Sequence, residues 1–192
     1  ASTAYPGKSI MKKRWQAEWI THPTISLTDF SVLYFRKTIE LEKQPKSFIV
    51  NVSGDTRYIL YVNGQQVCIG PDKGDRYHWY FETVEIAPML KVGVNTLAAV
   101  VWNFGEWTPV AQMSSKTGFI MQGNTSAEQI VNTGKSWKVL LDNSYSLVTE
   151  YWNYAGCGEK VEGEKYPWGW NETGFDDKNW STPREISRGF PY

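Results

Sequence analysis

The stretch that decides the fold is YILYVNGQQVCI, residues 58–69. Two runs rich in β-branched and aromatic residues flank Asn63-Gly64, and Asn-Gly favours a two-residue hairpin turn because both central residues take positive φ. Counting outward from the turn pairs Leu60 with Val67 and Tyr58 with Ile69. The sequence therefore predicts a β-hairpin whose core face is formed by alternating side chains, namely Tyr58, Leu60, Val62, Val67 and Ile69.

Further short strands are predicted on both sides of this hairpin. Phe48, Val50 and Val52 alternate along one of them. Residues 96–102 are apolar almost throughout, which is typical of a central strand covered on both faces. Other strands are predicted at 34–41, 81–86, 118–122, 128–131 and 137–141, with one helical turn at 87–91. Short strands separated by Gly, Asn and Pro turns predict an all-β sandwich.

The two ends of the chain differ from this middle part. Residues 1–30 are predicted to form an N-terminal arm that Trp15 and Trp19 dock onto the sandwich. The sandwich is assigned to residues 31–182, and its last part, from residue 151 to 180, is rich in Trp and Gly and predicts an irregular C-terminal lobe. Residues 183–192 are interpreted as a linker toward a missing catalytic domain. Because the chain starts without Met and ends in a linker-like segment, we expect a fragment of a longer protein.

Charge and cysteine content exclude several classes of function. The chain has 20 Lys plus Arg and 20 Asp plus Glu, so its formal net charge is zero, whereas nucleic acids and anionic membranes attract basic proteins. No apolar run reaches the roughly 20 residues that a membrane helix needs. Cys68, Cys157 and the two histidines lack the spacing of a zinc site. Cys68 is predicted to pack as a small apolar side chain, and pairing of the two cysteines stays open.

Ten tryptophans in 192 residues need an explanation. Large aromatic side chains fill cores between sheets, and exposed ones can stack on the apolar faces of sugar rings. Most of the ten tryptophans are assigned, by their positions in the sequence, to the arm, the strands or the end of the chain. Trp107, Trp168 and Trp170 remain as candidates for a ligand surface, with weaker support for Trp79 and Trp152.

Four segments, in this order and spacing, resemble the N-terminal β-sandwich domain of bacterial α-L-rhamnosidases. They are FRKTIEL at 35–41, GDTRYILYVNG at 54–64, LKVGVNTLA at 90–98 and GFDDKNW at 174–180. The resemblance covers about residues 33–182 and implies a jelly-roll β-sandwich of the galactose-binding-domain-like type. The chain departs from the family at residues 151–155, YWNYA, where the family commonly has Tyr-Asp-Ala-Arg. The last segment is also similar to the sugar-binding domains of β-galactosidase-like enzymes.

The resemblance implies a non-catalytic accessory domain of a glycoside hydrolase. Its partners would be a catalytic helical barrel in the same polypeptide, which the domain supports, and a neutral glycan, to which the zero net charge is suited. The alternatives are a sugar-binding-like sandwich of a β-galactosidase-like enzyme and a purely structural domain without a ligand. No carboxylate pair for glycoside hydrolysis and no nucleophile motif can be assigned, so this fragment is expected not to be an enzyme. A periplasmic or extracellular bacterial location is also implied.

In related modules the ligand loops follow the hairpin and the long central strand, and some of these modules bind sugar through calcium. The matching loops here are residues 70–76 and 103–107, which should emerge at one end of the sandwich because each follows a strand. Calcium prefers carboxylate and amide oxygens, and Asp72 and Asn103 are the first candidates for it. The competing interpretation of the first loop is a solvated segment whose charges neutralise one another. The carbohydrate-binding candidates are Asp72, Asp75, Asn103, Glu106, Trp107, Trp168 and Trp170.

Overall fold

Strands dominate the computed structural model of the chain, which describes residues 4–9, 14–75 and 78–189. Two antiparallel sheets form a sandwich, and two further strands form a separate hairpin. Over this part of the chain, the first sheet has six strands, the second has five and the hairpin has two. This architecture confirms the prediction of an all-β jelly-roll sandwich.

The strands are short except for the two at the centre of the second sheet. In chain order they are β1 Ala4–Ser9, β2 Glu18–Thr21, β3 Ser31–Leu41, β4 Ile49–Asp55, β5 Arg57–Val62, β6 Gln65–Gly70, β7 Tyr80–Glu85, β8 Gly93–Asn103, β9 Gly118–Gly123, β10 Lys138–Leu141, β11 Tyr145–Asn153, β12 Gly156–Val161 and β13 Arg184–Arg188. Within the described residues, three 3₁₀ helices lie between them, at Ala87–Met89, Gly105–Trp107 and Ser126–Val131. The strand order is β1-β7-β4-β9-β2-β13 in the first sheet and β10-β3-β8-β5-β6 in the second, and β11 pairs with β12 in the separate hairpin.

The main core lies between the two sheets. Successive side chains of a strand point to opposite faces, so Leu33, Phe35 and Ile39 of β3 face inward and belong to the same buried cluster as Phe119 of β9. The rings of Phe35 and Phe119 are stacked with centroids 5.5 Å apart, which joins the sheets directly. The outer face of the second sheet is also covered, because Val100 and other side chains of that face pack beneath the C-terminal lobe. The central strand β8 is therefore buried on both faces, as predicted.

The hairpin of β5 and β6 is confirmed, with one change in its register. Asn63 and Gly64 have φ values of 51° and 81°, as the predicted turn requires. However, Leu60 pairs with Cys68 and not with Val67, because a β-bulge shifts the register between Leu60 and Tyr61. A bulge inserts one residue and reverses the alternation beyond it. Val67 and Cys68 are consequently both buried, whereas Ile69, which was assigned to the core, is 56% exposed.

The two chain ends contribute more to the sandwich than the predicted boundaries allow. Strands β1 and β2, from the predicted arm, and β13, from the predicted linker, are hydrogen-bonded members of the first sheet. Trp15 and Trp19 are buried on the outer face of that sheet with Trp79 and Phe81, so they do anchor this segment. Residues 190–192 of the predicted linker lie outside the described residues. That a catalytic domain follows the linker stays a prediction.

The predicted strand at 128–131 is wrong, because Ser126–Val131 is a 3₁₀ helix. Thr125 and Glu128 form a capping box at its start, in which each side chain pairs with the backbone of the other residue. The Thr-x-x-Glu spacing is a known signal for the start of a helix. It outweighs the strand propensity of the two apolar residues that follow.

The two cysteines are free thiols. Cys68 is buried in the main core, as predicted. Burial raises the pKa of the Cys68 thiol to about 12, so this side chain is protonated at neutral pH and acts as a small apolar group.

Gly123 is expected to be irreplaceable at the end of β9. A Cβ atom there would lie 2.5 Å from the backbone carbon and oxygen of Glu128, which cannot rotate away as a side chain can. We expect Gly123→Ala to lower the free energy of unfolding by about 1–3 kcal/mol, measured by urea denaturation. Gly163→Ala is the matched control, because a Cβ at Gly163 meets nothing within 4 Å. Equal urea midpoints for the two variants would contradict this close approach.

Candidate functional site

The two candidate loops emerge at the same end of the sandwich. Strand β5 lies between β6 and β8 and runs antiparallel to both. The start of β5 therefore lies beside the last residues of both neighbours, since Tyr58 pairs with Gly70 and Arg57 pairs with Trp102. The loops that follow β6 and β8 leave the sheet on either side of Arg57.

A pocket of ≈ 200 Å³ opens at this end. We call it the end pocket, and it is lined by Thr56, Arg57, residues 69–75, Trp79, Tyr80 and residues 111–113. Its walls thus come from the start of β5, from the loop after β6 and from the loop that leads to β9. Met113 and Ile69 present exposed apolar surface there, while the carboxylates and cations of the same loops supply polar groups.

A buried carboxylate supports the loop that forms one wall of the pocket. Glu82 accepts a hydrogen bond from the backbone N–H of Asp72, with a distance of 2.9 Å to Oε1, and another from the Tyr58 hydroxyl. Burial raises the pKa of Glu82 to about 6, although the hydrogen bonds from Tyr58 and Asp72 act in the opposite direction. Glu82 therefore holds the start of the loop from below.

Arg57 lies between the end pocket and a second depression. Its guanidinium carbon is 4.8 Å from the ring centroid of Trp102 and 5.6 Å from that of Phe104, so two aromatic faces hold the cation in place. Phe104 lines a wider depression of ≈ 740 Å³, which we call the aromatic groove. The groove is lined by Thr28, Asp29, Phe30, Phe104, Glu106, Trp107, Tyr145, Ser146 and Leu147.

Unpartnered buried polar atoms are concentrated around the end pocket. Within the described parts of the chain, eight buried side-chain nitrogen or oxygen atoms have no hydrogen-bond partner. Four of the eight belong to residues that line the pocket: Thr56 Oγ1, Arg57 Nε, Trp79 Nε1 and Gln112 Oε1. Buried polar groups in native proteins are nearly always paired, and each one without a partner costs about 1–3 kcal/mol. The four atoms belong to residues that line one pocket, which makes the end pocket the leading candidate for a polar ligand.

The predicted site residues are divided between the two depressions. Asp72 and Asp75 line the end pocket and are exposed. The Asp75 carboxylate is 2.7 Å from Nδ1 of His78 and closes a tight turn. Glu106 and Trp107 lie in the 3₁₀ helix that follows β8, and both line the aromatic groove. Arg76 of the predicted loop is outside the described residues.

Two candidates are part of the protein interior, which differs from their predicted role. Asn103 is fully buried; its amide group donates to Ser114 and Thr117 and accepts the N–H of Gly105 at 2.8 Å. Trp170 is 3% exposed and packs on Tyr34 with ring centroids 4.4 Å apart. Both side chains hold loops in place, and neither presents a surface to a ligand.

Trp168 is the most exposed tryptophan among the described side chains, at 73%. Its ring lies 4.8 Å from that of Tyr166, and its indole N–H donates to the carbonyl oxygen of Gly163 at 2.9 Å. It lines neither the end pocket nor the aromatic groove. The side chain of Trp152 lies outside what the structure describes.

The structure gives no support for the calcium pair. Oδ1 of Asn103 is buried and already accepts a hydrogen bond, while Asp72 is on the exposed loop. In residues 4–9, 14–75 and 78–189, no three His, Cys, Asp or Glu side chains are grouped so that they could hold a metal ion. Over the same residues, no helix is both long and apolar enough to cross a membrane.

Sequence reasoning missed the residues that form the floor of the end pocket. Thr56 and Arg57 fall inside a quoted motif, yet their role depends on the pairing of Arg57 with Trp102 across the sheet. Gln112 and Met113 lie in a loop without a recognisable pattern. Trp79, a weakly supported candidate in the sequence, lines the pocket although its side chain is only 5% exposed.

Solved structures with the same fold include two α-L-rhamnosidases. The chain is 23% identical to the GH78 family rhamnosidase of Bacillus sp. GL1, with a TM-score of 0.81. The match covers 92% of this chain and 19% of the rhamnosidase. For the α-L-rhamnosidase of Dictyoglumus thermophilum the identity is 20% and the TM-score is 0.67, and the match covers 89% of this chain and 21% of that enzyme. The chain thus spans about a fifth of the length of these enzymes.

A lectin shares the fold as well. The lectin of Pleurotus ostreatus is 20% identical, with a TM-score of 0.57, and the match covers 90% of this chain and 42% of that one. A search of curated protein sequences gave no match.

The family model of the α-L-rhamnosidase N-terminal domain matches residues 43–189. This range includes most of the sandwich and every residue that lines the end pocket. The chain therefore belongs to the family of α-L-rhamnosidase N-terminal domains.

Proposed function

We propose that this chain is a non-catalytic accessory domain of an α-L-rhamnosidase-like glycoside hydrolase. In this proposal it supports a catalytic helical barrel in the same polypeptide and binds a neutral glycan in the end pocket. Membership of the family and a span of about a fifth of the related enzymes support the accessory role. The periplasm or the extracellular space, where such glycans are met, is the proposed location.

The observation that carries glycan binding is the set of four unpartnered polar atoms beside apolar pocket surface. Sugars combine hydroxyl groups, which donate and accept hydrogen bonds, with apolar ring faces that pack on aromatic or thioether side chains. Trp79 and Arg57 would donate to such hydroxyls, and Gln112 would accept from them. Tyr80 and Met113 supply the apolar contacts.

The charges of the end pocket suit a neutral ligand. Arg57 and Lys73 are balanced by Asp72 and Asp75, so no net charge selects for an anion or a cation. The lectin that shares the fold has also been solved in complex with GalNAc, a neutral sugar. A carboxylate such as Asp72 accepts hydrogen bonds from vicinal hydroxyls more strongly than a neutral acceptor does.

The carboxylates at the pocket favour binding over hydrolysis. Glycosidases use two carboxyl groups about 5–10 Å apart on either side of the sugar bond, and one of them has a raised pKa. Glu82 has a raised pKa, but it is buried and its oxygens hold Tyr58 and the Asp72 backbone. Asp75 is engaged with His78.

We expect no p-nitrophenol release from a rhamnoside; sustained release that one carboxylate substitution abolishes would overturn this assignment.

Asp72→Ala is expected to weaken sugar binding about ten- to hundredfold, since a hydrogen bond to a charged group contributes about 1.5–3 kcal/mol. Isothermal titration calorimetry measures the affinity for L-rhamnose, galactose and a pectic oligosaccharide, each with and without calcium. Asp176→Ala is the matched control, because Asp176 is equally exposed but lies outside the pocket. If none of the sugars binds the unaltered domain at tens of millimolar, glycan binding is refuted.

A purely structural role is the second candidate function. It is favoured by the interior positions of Asn103 and Trp170, which remove two of the seven predicted ligand residues from the surface. Absence of sugar binding, together with loss of activity when the domain is deleted from the parent enzyme, would establish this role instead.

A further inference from the structure

The aromatic groove has the chemistry of a second sugar site. Its lining includes the partly exposed apolar side chains of Phe30, Trp107, Tyr145 and Leu147, with the ring of Phe104, which is 6% exposed, behind them. Glu106 is exposed at the rim and offers a carboxylate, and Asp29 offers another. Aromatic faces next to hydrogen-bond acceptors are what a pyranose ring and its hydroxyls require.

The groove lies beside the end pocket. Arg57 lines the end pocket, and its guanidinium carbon is 5.6 Å from the ring centroid of Phe104, which lines the groove. The same guanidinium contacts Trp102 at 4.8 Å. Arg57 therefore connects the linings of the two depressions, and its guanidinium also forms an ion pair with Glu159 at 3.9 Å.

The groove residues are held in position before any ligand arrives. Asn103 Oδ1 accepts the N–H of Gly105 at 2.8 Å, and the Thr108 hydroxyl donates to the carbonyl oxygen of Gly105 at 2.7 Å. These two contacts bracket the 3₁₀ helix that carries Glu106 and Trp107. Preorganisation of this kind reduces the ordering cost of binding. Buried Asn103 thus acts as a positioning residue for the groove.

We propose that the end pocket and the aromatic groove are two adjacent subsites, so that the ligand is a neutral oligosaccharide of at least two residues that crosses Arg57. This inference rests on the proposed function, because it takes the end pocket as the first subsite. Trp107 is the stacking residue of the second subsite, and Glu106 is its hydrogen-bond acceptor.

The test compares a monosaccharide with a disaccharide in calorimetric titrations. The probes are L-rhamnose and rutinose, a neutral disaccharide with a terminal rhamnose. We expect rutinose to bind at least about tenfold more tightly than rhamnose. Trp107→Ala should remove this advantage and leave rhamnose affinity unchanged, whereas Trp107→Phe should keep part of it. Trp168→Ala, which removes an exposed tryptophan outside both depressions, should behave as the unaltered protein.

The outcomes separate this inference from the proposed function. If rhamnose and rutinose bind with equal affinity and Trp107→Ala changes neither, the second subsite is refuted and the end pocket stands. The second subsite is equally refuted if Trp107→Ala weakens both sugars by the same factor, or if Trp168→Ala removes the advantage of rutinose. If neither sugar binds any folded variant, the proposed glycan binding itself fails. Thermal unfolding of each variant checks that it is folded.

Discussion

Arg36→Ala is expected to lower the free energy of unfolding by about 3–5 kcal/mol, the usual cost of breaking a buried ion pair. Arg36 belongs to β3, and its side chain is 1% exposed. Its Nε donates to Asp177 Oδ2 at 3.1 Å, and its NH1 nitrogen donates to the carbonyl oxygens of Trp170 and Glu172. One guanidinium thus satisfies three acceptors of the C-terminal lobe, which has little regular structure to pair its own backbone.

Packing adds to this loss, because the guanidinium carbon lies 5.2 Å from the ring centroid of Phe175 and 5.9 Å from that of Trp180. Lys138→Ala is the matched control. Lys138 contacts the other oxygen of Asp177 at 2.8 Å, yet its side chain is 40% exposed, and exposed ion pairs contribute about 0–1 kcal/mol. Urea denaturation followed by tryptophan fluorescence compares the two. Equal losses for Arg36→Ala and Lys138→Ala would show that Arg36 is not the anchor of the lobe.

Local signals in the sequence were sufficient for the hairpin and for the class of fold. The Asn63-Gly64 turn and the alternating strands around it act over a few residues, and the structure confirms them. The bulge at Val67 depends on how β5 and β6 fit the sheet as a whole, so no local sequence pattern predicts it. Strands β2 and β13 are short and pair across most of the chain length. Their pairing is therefore a property of the assembled sheet.

The site was predictable only in part for the same reason. The family resemblance indicates Asp72 and Asp75, because the ligand loops of related modules follow the corresponding strands, and the structure places both residues at a pocket. Asn103 was misinterpreted because an asparagine at a strand end can equally accept a backbone N–H two residues on, and here it does so with Gly105. Arg57 was missed because its place beside both depressions arises from cross-strand pairing, which its own neighbours in sequence do not indicate.

The stability of the domain is expected to fall as the pH rises from 5 to 8. Burial raises the pKa of Asp55 to about 6, against the opposing hydrogen bonds from Ser115 and Ser114, and burial likewise raises the pKa of Glu82 to about 6. In the unfolded chain these groups titrate near pH 4. Because the folded pKa is the higher one, each group contributes stability that is complete below about pH 4 and is lost as the pH rises through about 6.

Other groups with shifted pKa values act elsewhere or more weakly. Burial opposes the ionisation of Asp177, but hydrogen bonds from Lys138 and Arg36 prevail and lower its pKa, so its contribution is present above about pH 4 and is lost only in more acidic solution. Burial lowers the pKa of His22, which favours the fold as the pH rises. His22 is only partly buried, so water reduces this opposing effect.

The two carboxyls are therefore expected to dominate the window from pH 5 to 8. Their raised pKa values correspond to a stability of about 3 kcal/mol for Asp55 and about 2 kcal/mol for Glu82 that is present when the carboxyls are protonated and is lost as they ionise. Urea denaturation at four pH values between 5 and 8 measures the slope. Asp55→Asn and Glu82→Gln remove the ionisation, and the glutamine keeps an oxygen to accept the Asp72 N–H. In the double variant, the free energy of unfolding should depend little on pH. Its decrease from pH 5 to pH 8 should be smaller than the decrease in the unaltered domain. A pH dependence of stability that both substitutions leave intact would mean that the two carboxyls are already ionised in the fold at pH 5, so that burial does not raise their pKa values, and Glu82 would then hold the Asp72 backbone as a charged group throughout this range.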